Sequence, residues 1–185
     1  CRAICALKGH RHGGANIKVI KMLDNFKENI KHWDDEGEVA DYMTKVIKKE
    51  AYDHMGLIYG MGHAVYTISD PRACILKRKA FELAKGKEIE AEFRLLDTVE
   101  RLTPEVFRNV KGNSKVMCAN VDMYSGLVYR MLGIPDDLFT PLFAVARIAG
   151  WSAHRMEEIL TGGRIIRPAY KAIAKSKKYI SISER

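Results

Sequence analysis

Two glycines, a histidine and an arginine lie close together in the segment Gly60-Met61-Gly62-His63 and in the following Asp70-Pro71-Arg72. Glycine permits backbone conformations closed to other residues, so the main chain here is able to approach a ligand. Asp70 before Pro71 is typical of a helix N-terminus, which places Arg72 at the positive end of that helix. Arginine offers a planar fork to a carboxylate, and histidine donates to a carbonyl oxygen. The segment predicts a site for a small carboxylate that carries a carbonyl group; the alternative is a glycine turn with an ordinary surface histidine.

Two further segments carry a candidate catalytic side chain. His12 stands in the glycine-flanked loop Gly9-His10-Arg11-His12-Gly13-Gly14-Ala15-Asn16, and Asp122 follows Asn120 in the predicted first turn of a helix. Acidic residues favour the first helical turn because they complement the helix dipole, so a purely structural role for Asp122 stays open. His12, His63 and Asp122 are therefore the three candidate catalytic groups, each from a separate segment.

The segments between these loops have the period of amphipathic helices. Apolar residues at helical spacing predict buried stripes: Ile20, Leu23, Phe26 and Ile30; Val39, Met43, Val46 and Ile47; Ile89, Phe93, Leu96 and Leu102. Thr103-Pro104-Glu105 predicts the start of a new helix, and Thr140-Pro141 predicts a long helix that reaches about Leu160. Strand alternation is scarce, so the sequence predicts an all-α fold, with a domain boundary at the Gly133 to Pro135 break.

Composition and charge restrict the classes of partner. Lys and Arg number 31 against 23 Asp and Glu, a net charge of +8, which favours nucleic acid, acidic membrane surfaces or small polyanions. Aromatic and basic residues do not interleave as in a nucleic-acid module, so we expect no nucleic-acid partner. The most apolar run, Pro141 to Ala153, contains Arg147 and is too short to span a bilayer, so we expect no membrane partner. The four cysteines show neither a CxxC pair nor zinc spacing, which predicts a reducing, cytoplasmic location and no metal site.

Four motifs resemble the second half of citrate synthases in order and spacing: His12 to Asn16, Gly60 to Arg72, Asn120 to Gly126, and Phe143 to Trp151. The resemblance implies an acyltransferase of the tricarboxylic acid cycle that converts an acyl group to an alkyl group on transfer. Such an enzyme condenses acetyl-CoA with oxaloacetate through an Asp-assisted enolisation and then hydrolyses citryl-CoA to citrate and CoA.

The resemblance assigns roles to six residues of this chain. Asp122 matches the base that takes a proton from the methyl group of acetyl-CoA, and His12 matches the donor to the thioester oxygen. His63 matches the group that polarises and protonates the ketone of oxaloacetate. Three arginines match those that hold the carboxylates of oxaloacetate, the last by reaching into the partner subunit's site: Arg72, Arg147 and Arg167.

Two of these arginines have alternatives. Apolar neighbours flank Arg147, so we expect it to be buried, and because a buried unpaired guanidinium is costly it should meet a carboxylate of the substrate or of the protein. A structural ion pair with an acid elsewhere is the alternative. Arg167 stands before Pro168 in a basic tail and has a solvated charge as its alternative.

The resemblance also implies that coenzyme A binds as a co-substrate, with no permanent cofactor, against Leu57, Ile58, Tyr59, Gly60, Met61, Gly62, Lys115 and Asn120. Two departures from the family pattern concern the affinity for the nucleotide. His10-Arg11 stand where the family often has a proline and an apolar residue, and Thr67 stands where a basic residue often assists phosphate binding. Two other functions stay open: a 2-methylcitrate synthase, whose propionyl substrate adds only one methylene, and a basic helical interaction module without catalysis.

The resemblance divides the chain into three parts. Residues 1–14 correspond to a loop of a large helical domain, 15–133 to a complete small, mobile domain, and 134–185 to the closing helices and tail of the large domain. The rest of the large domain, which supplies another oxaloacetate-binding histidine and much of a homodimer interface, is absent from this sequence. We therefore expect a fragment with little or no synthase activity alone and with apolar surface exposed on its last helices.

Overall fold

The computed structural model describes residues 14–112, 117–162 and 181. Within these residues the regular secondary structure is helical: α1 (Ala15–Asn29), α2 (Glu36–Ile47), α3 (Pro71–Ala84), α4 (Glu90–Lys111), α5 (Asp122–Met131) and α6 (Phe139–Leu160), with a 3-10 turn at Asp136–Leu138. One isolated antiparallel bridge joins Met61 to Ala119. The predicted all-α fold class is confirmed. In the described part of the chain, none of the helices has the length and apolarity needed to cross a membrane.

The chain divides into two compact units, Cys1–Arg147 and Ile148–Arg185. The core lies in the first unit, where the stripes predicted for α1, α2 and α4 are buried except for Ile89 and Leu102, which are half-buried and pack against the core. The inward side chains of α1 are at most 2% exposed: Ile20, Leu23, Phe26 and Ile30. Helix α5 is buried from Met123 to Val128, so its N-terminal residue Asp122 is held on a rigid element.

Helices α1 and α5 approach each other at a glycine. A Cβ atom built on Gly126 would lie 2.6 Å from Cγ1 of Ile20, well inside van der Waals contact. A side chain at this position would force the two helices apart, which explains why glycine stands in the middle of α5 despite its low helix propensity.

Helix α4 corrects one prediction from the sequence. We expected a new helix at Thr103-Pro104-Glu105, but α4 continues through Pro104 without a break. Proline removes one backbone donor and crowds the preceding turn, which usually ends a helix. Here Val99 and Val106 on either side of the proline are both buried, and they stay on one face only if the helix continues. Packing of the long apolar stripe therefore outweighs the local cost of the proline.

Helix α6 begins and ends where the sequence predicted, within one residue. Its apolar side chains are largely exposed, as expected for the last helices: Val145 66%, Ile148 53%, Met156 62%, Ile159 61% and Leu160 82%. His154 on this helix is exposed, and its Nδ1 lies 3.7 Å from Oε2 of Glu157. The predicted boundaries near residues 14 and 133 stay predictions.

Candidate active site

The loop before His63 lies directly on the N-terminal turn of α5. Gly60 and Gly62 both have positive φ angles, +84° and +98°, which favour glycine. A Cβ atom on Gly60 would lie 2.7 Å from Sδ of Met123 and 3.1 Å from Cγ2 of Val19. Gly60 therefore has no room for a side chain, whereas a Cβ atom on Gly62 would meet nothing within 4 Å.

Hydrogen bonds tie this loop to the strand-like segment that precedes α5. The backbone N–H of Gly62 donates to the carbonyl of Cys118 at 2.8 Å, and the N–H of Asn120 donates to the carbonyl of Gly60 at 2.9 Å. The Asn120 side chain adds a third bond, from Nδ2 to the carbonyl of Gly62 at 3.1 Å. Because buried backbone groups need partners, these bonds fix the path of the loop against α5.

The His63 ring is held in one orientation. Its Nδ1 atom accepts two backbone N–H groups, from Val65 and Tyr66, each at 2.9 Å. In the neutral ring the proton therefore lies on Nε2, which is the atom left to act as a donor. Nε2 lies 3.4 Å from Oδ2 of Asp70, and the side chain is 14% exposed. His63 is thus oriented to donate a hydrogen bond from a partly desolvated position.

Asp70 was interpreted from the sequence only as the cap of α3, but it has a second function in the structure. Its carboxylate accepts the backbone N–H of Arg72 at 2.9 Å, as a helix cap does, and also the guanidinium Nε at 3.1 Å and Nη2 at 2.8 Å. The hydrogen-bonded Arg72 guanidinium holds the pKa of Asp70 below its usual value. Asp70 is fully buried, so this fork fixes the arginine beside His63, where Nη2 lies 3.4 Å from Nε2.

Asp122 lies half-buried in the first turn of α5. Burial raises the pKa of its carboxyl, and the positive charge of Arg72 acts in the opposite direction to lower that pKa. Asn120 links Asp122 to the loop, because its Oδ1 accepts the backbone N–H of Asp122 at 3.0 Å and its Nδ2 donates to the carbonyl of Gly62 at 3.1 Å. The structure therefore brings together three of the predicted site residues: His63, Arg72 and Asp122.

Of the other three predicted catalytic or substrate-binding residues, the structure describes Arg147. Arg147 lies on α6 and is exposed, so the expectation that it is buried was wrong. Its apolar neighbours do not enclose it, because Val145 and Ile148 are themselves exposed. His12 and Arg167 lie outside the described residues, as does Lys115 among the residues predicted to bind coenzyme A.

The residues of the predicted coenzyme A segment differ in burial. Leu57 is 46% exposed and Ile58 is buried, while Tyr59, Gly60, Met61 and Gly62 are half-buried. The carbonyls of Gly60 and Gly62 and the N–H of Gly62 are engaged within the chain. The role of this segment in coenzyme binding stays a prediction.

A cavity of about 290 Å³ adjoins the loop on the side of α3 and α4. Its ionic side chains are paired within the protein: Lys77 binds Glu100 at 2.8 Å and also contacts Asp97. The hydroxyl of Tyr124 donates to Glu100 as well. Among the described residues the candidate catalytic side chains do not line this cavity, so we place the candidate site at the His63 loop.

Comparison with known proteins decides the family of this chain. Residues 1–169 match the family model of the citrate synthase C-terminal domain. The chain belongs to the citrate synthase family. A citrate synthase of Corynebacterium glutamicum is 40% identical over 166 residues, which cover 89% of this chain and 36% of that protein. A 2-methylcitrate synthase of Shewanella oneidensis is 35% identical and covers 99% of this chain and 44% of that protein.

Solved structures of the family have the same fold. The citrate synthase of Thermoplasma acidophilum, solved as a ternary complex with carboxymethyl coenzyme A and oxaloacetate, has a TM-score of 0.68 and 33% sequence identity, over 98% of this chain and 44% of that chain. The citrate synthase of Thermotoga maritima has a TM-score of 0.66 and 35% identity. The chain thus spans 36% to 44% of the length of these relatives.

Proposed function

We propose that the protein carrying this chain is a citrate synthase, which condenses acetyl-CoA with oxaloacetate and hydrolyses citryl-CoA. The observation that carries the proposal is the clustering of His63, Arg72 and Asp122 around a glycine loop fixed to the N-terminus of α5. Membership of the family supports it. The cluster holds a base, a hydrogen-bond donor and a cation, which suit the enolisation of a thioester beside a keto acid.

Asp122 is the proposed base that removes a methyl proton from acetyl-CoA. Partial burial raises the pKa of this carboxyl, which makes it a stronger base than a solvated aspartate. The positive charge of Arg72 opposes this shift and favours the ionised carboxylate. A base positioned on a rigid helix reaches its substrate without reorganisation, which is where much of the gain in rate arises.

His63 and Arg72 are the proposed groups for oxaloacetate. The Nε2 proton of His63 is donated to the ketone oxygen as negative charge develops there. The Arg72 guanidinium is 61% exposed, so after binding Asp70 it retains N–H groups on its outer side for a substrate carboxylate. The fixed fork between Asp70 and Arg72 orients that contact before substrate arrives.

The remaining assignments complete the proposed site. His12 stabilises the enolate oxygen of acetyl-CoA, and two further arginines, Arg147 and Arg167, hold oxaloacetate carboxylates. Arg167 acts in the partner subunit of a homodimer. Coenzyme A binds along residues 57–62 with Lys115 and Asn120, as a co-substrate. We place the enzyme in the cytoplasm because the spacing of its cysteines suits a reducing compartment.

Substitution of the proposed base tests this function. Asp122→Asn in the full-length protein keeps the size of the side chain and removes its basicity, so turnover should fall by ~10²-fold or more. Asp41→Asn, at an exposed position of α2, is the matched control and should leave turnover unchanged. Normal turnover by a folded Asp122→Asn variant would refute the role of Asp122 as the base.

A second candidate function is 2-methylcitrate synthesis. The observation that favours it is the 35% identity to the Shewanella oneidensis enzyme over 99% of this chain. One additional methylene changes discrimination by about 1–3 kcal/mol, which the described residues do not determine. The ratio of kcat/KM for acetyl-CoA to that for propionyl-CoA separates the two, since a value above one supports citrate synthesis and a value below one supports the alternative.

A further inference from the structure

The relative position of His63 and Asp122 depends on a small number of contacts. The two residues come from segments 59 positions apart, and their catalytic use requires both to meet one substrate pair. The bridge between Met61 and Ala119 aligns the two backbones. Because this bridge precedes α5, it does not reach Asp122, which lies in the first turn of that helix. A separate connection runs from the loop to Asp122.

The side chain of Asn120 makes that connection. Its Nδ2 donates to the carbonyl of Gly62, the residue directly before His63, at 3.1 Å. Its Oδ1 accepts the backbone N–H of Asp122 at 3.0 Å. One carboxamide thus joins the residue before the histidine to the backbone of the acid, with a donor at one end and an acceptor at the other.

We propose that Asn120 is a positioning residue for the reaction, and that its carboxamide sets the placement of Asp122 relative to His63. The inference rests on the proposed function, and it gives Asn120 a role that does not depend on contact with coenzyme A. Asparagine suits this role because aspartate lacks the donor for Gly62, and leucine, which has the same branching at Cγ, lacks both the donor and the acceptor. Small misplacements of a catalytic group cost up to about 10²-fold in rate, so this connection matters to turnover.

A double-mutant cycle on kcat tests the inference in the full-length enzyme. Asn120→Leu should lower kcat by about 10- to 100-fold, and the KM for acetyl-CoA should change by a smaller factor. If Asn120 acts through Asp122, adding Asn120→Leu to Asp122→Asn should lower kcat little further. Asn29→Leu, at an exposed amide that bonds only within α1, is the matched control and should leave kcat unchanged.

Two results would overturn the inference. A raised KM for acetyl-CoA with normal kcat would mean that Asn120 acts only by contacting coenzyme A. If the losses in kcat multiply in the double variant, Asn120 does not act through Asp122. If Asn120→Leu does not fold, Asn120→Ala is judged by the same criteria, since it removes both the donor and the acceptor without adding bulk or charge. An Asp122→Asn variant with normal turnover would instead refute the proposed function, so the two failures are distinguishable.

Discussion

The His63 loop and helix α6 are built in opposite ways. Around the loop, a single polar side chain makes several hydrogen bonds: Asp70 accepts three from Arg72 alone. On α6, Arg147 is exposed, and so are several apolar side chains, among them Val145 and Ile148. The comparison teaches that the part of the candidate site formed by His63, Arg72 and Asp122 is preorganised by hydrogen bonds within and next to the loop. A contribution of α6 to the candidate site would require contacts that are not found among the described residues.

Replacement of a core side chain and of an α6 side chain by alanine should give the largest difference in the free energy of unfolding. Phe26 is fully buried and Ile159 is 61% exposed. Phe26→Ala should lower the free energy of unfolding by about 3–5 kcal/mol because it leaves a cavity. Ile159→Ala should change that free energy by less than about 0.5 kcal/mol. Urea unfolding of this chain measures both, and equal losses would contradict the difference between the two regions.

A substitution in the glycine loop should give the next largest loss of stability. Gly60→Ala adds a methyl group against Met123 and Val19 at a positive φ angle, so it should cost about 2–4 kcal/mol of stability. Gly86 has a similar φ angle of +75° but no atom within 4 Å of a built Cβ, so Gly86→Ala isolates the backbone strain and should cost about 1–2 kcal/mol. Urea midpoints of the two variants compare them directly. Equal costs would mean that the close approach to α5 is unimportant.

Removal of the Arg72 charge should shift the pH dependence of kcat/KM, which is the smallest of the expected effects. The activity of a base is lost as pH falls through its pKa, and Arg72 lowers the pKa of Asp122. In Arg72→Gln that pKa rises, so the acidic limb of the kcat/KM profile should move to higher pH. Arg78→Gln, an exposed arginine on the same helix, is the control and should leave the limb in place. A limb that stays in place for Arg72→Gln, or moves to lower pH, would contradict the electrostatic coupling of these residues.

The sequence predicted features that depend on local pattern. Apolar periodicity located the buried stripe of α1, and Asp70-Pro71 marked the start of α3. Both signals arise from neighbouring residues, so no tertiary information was needed. The loop residues His63 and Arg72 were also found, because glycine spacing and a helix cap are local signals too.

The features that the sequence did not predict depend on tertiary contacts. The helix break expected at Thr103-Pro104-Glu105 fails because burial of Val106 outweighs the effect of proline. Arg147 was expected to be buried because its neighbours are apolar, yet apolar neighbours do not bury a residue unless another surface covers them. The hydrogen bonds from Asn120 to Gly62 join segments distant in sequence, and no local pattern reports such a contact.

The exchange of the methyl protons of acetyl-CoA with solvent is the most direct test of the central claim that Asp122 is a carbon base beside His63. In D₂O with malate, which has the carboxylates of oxaloacetate but no ketone to condense, NMR follows the exchange without turnover. The full-length protein and its Asp41→Asn variant should exchange these protons at the same rate, and Asp122→Asn should be slower by ~10²-fold or more. Exchange by Asp122→Asn at the unsubstituted rate would contradict the account.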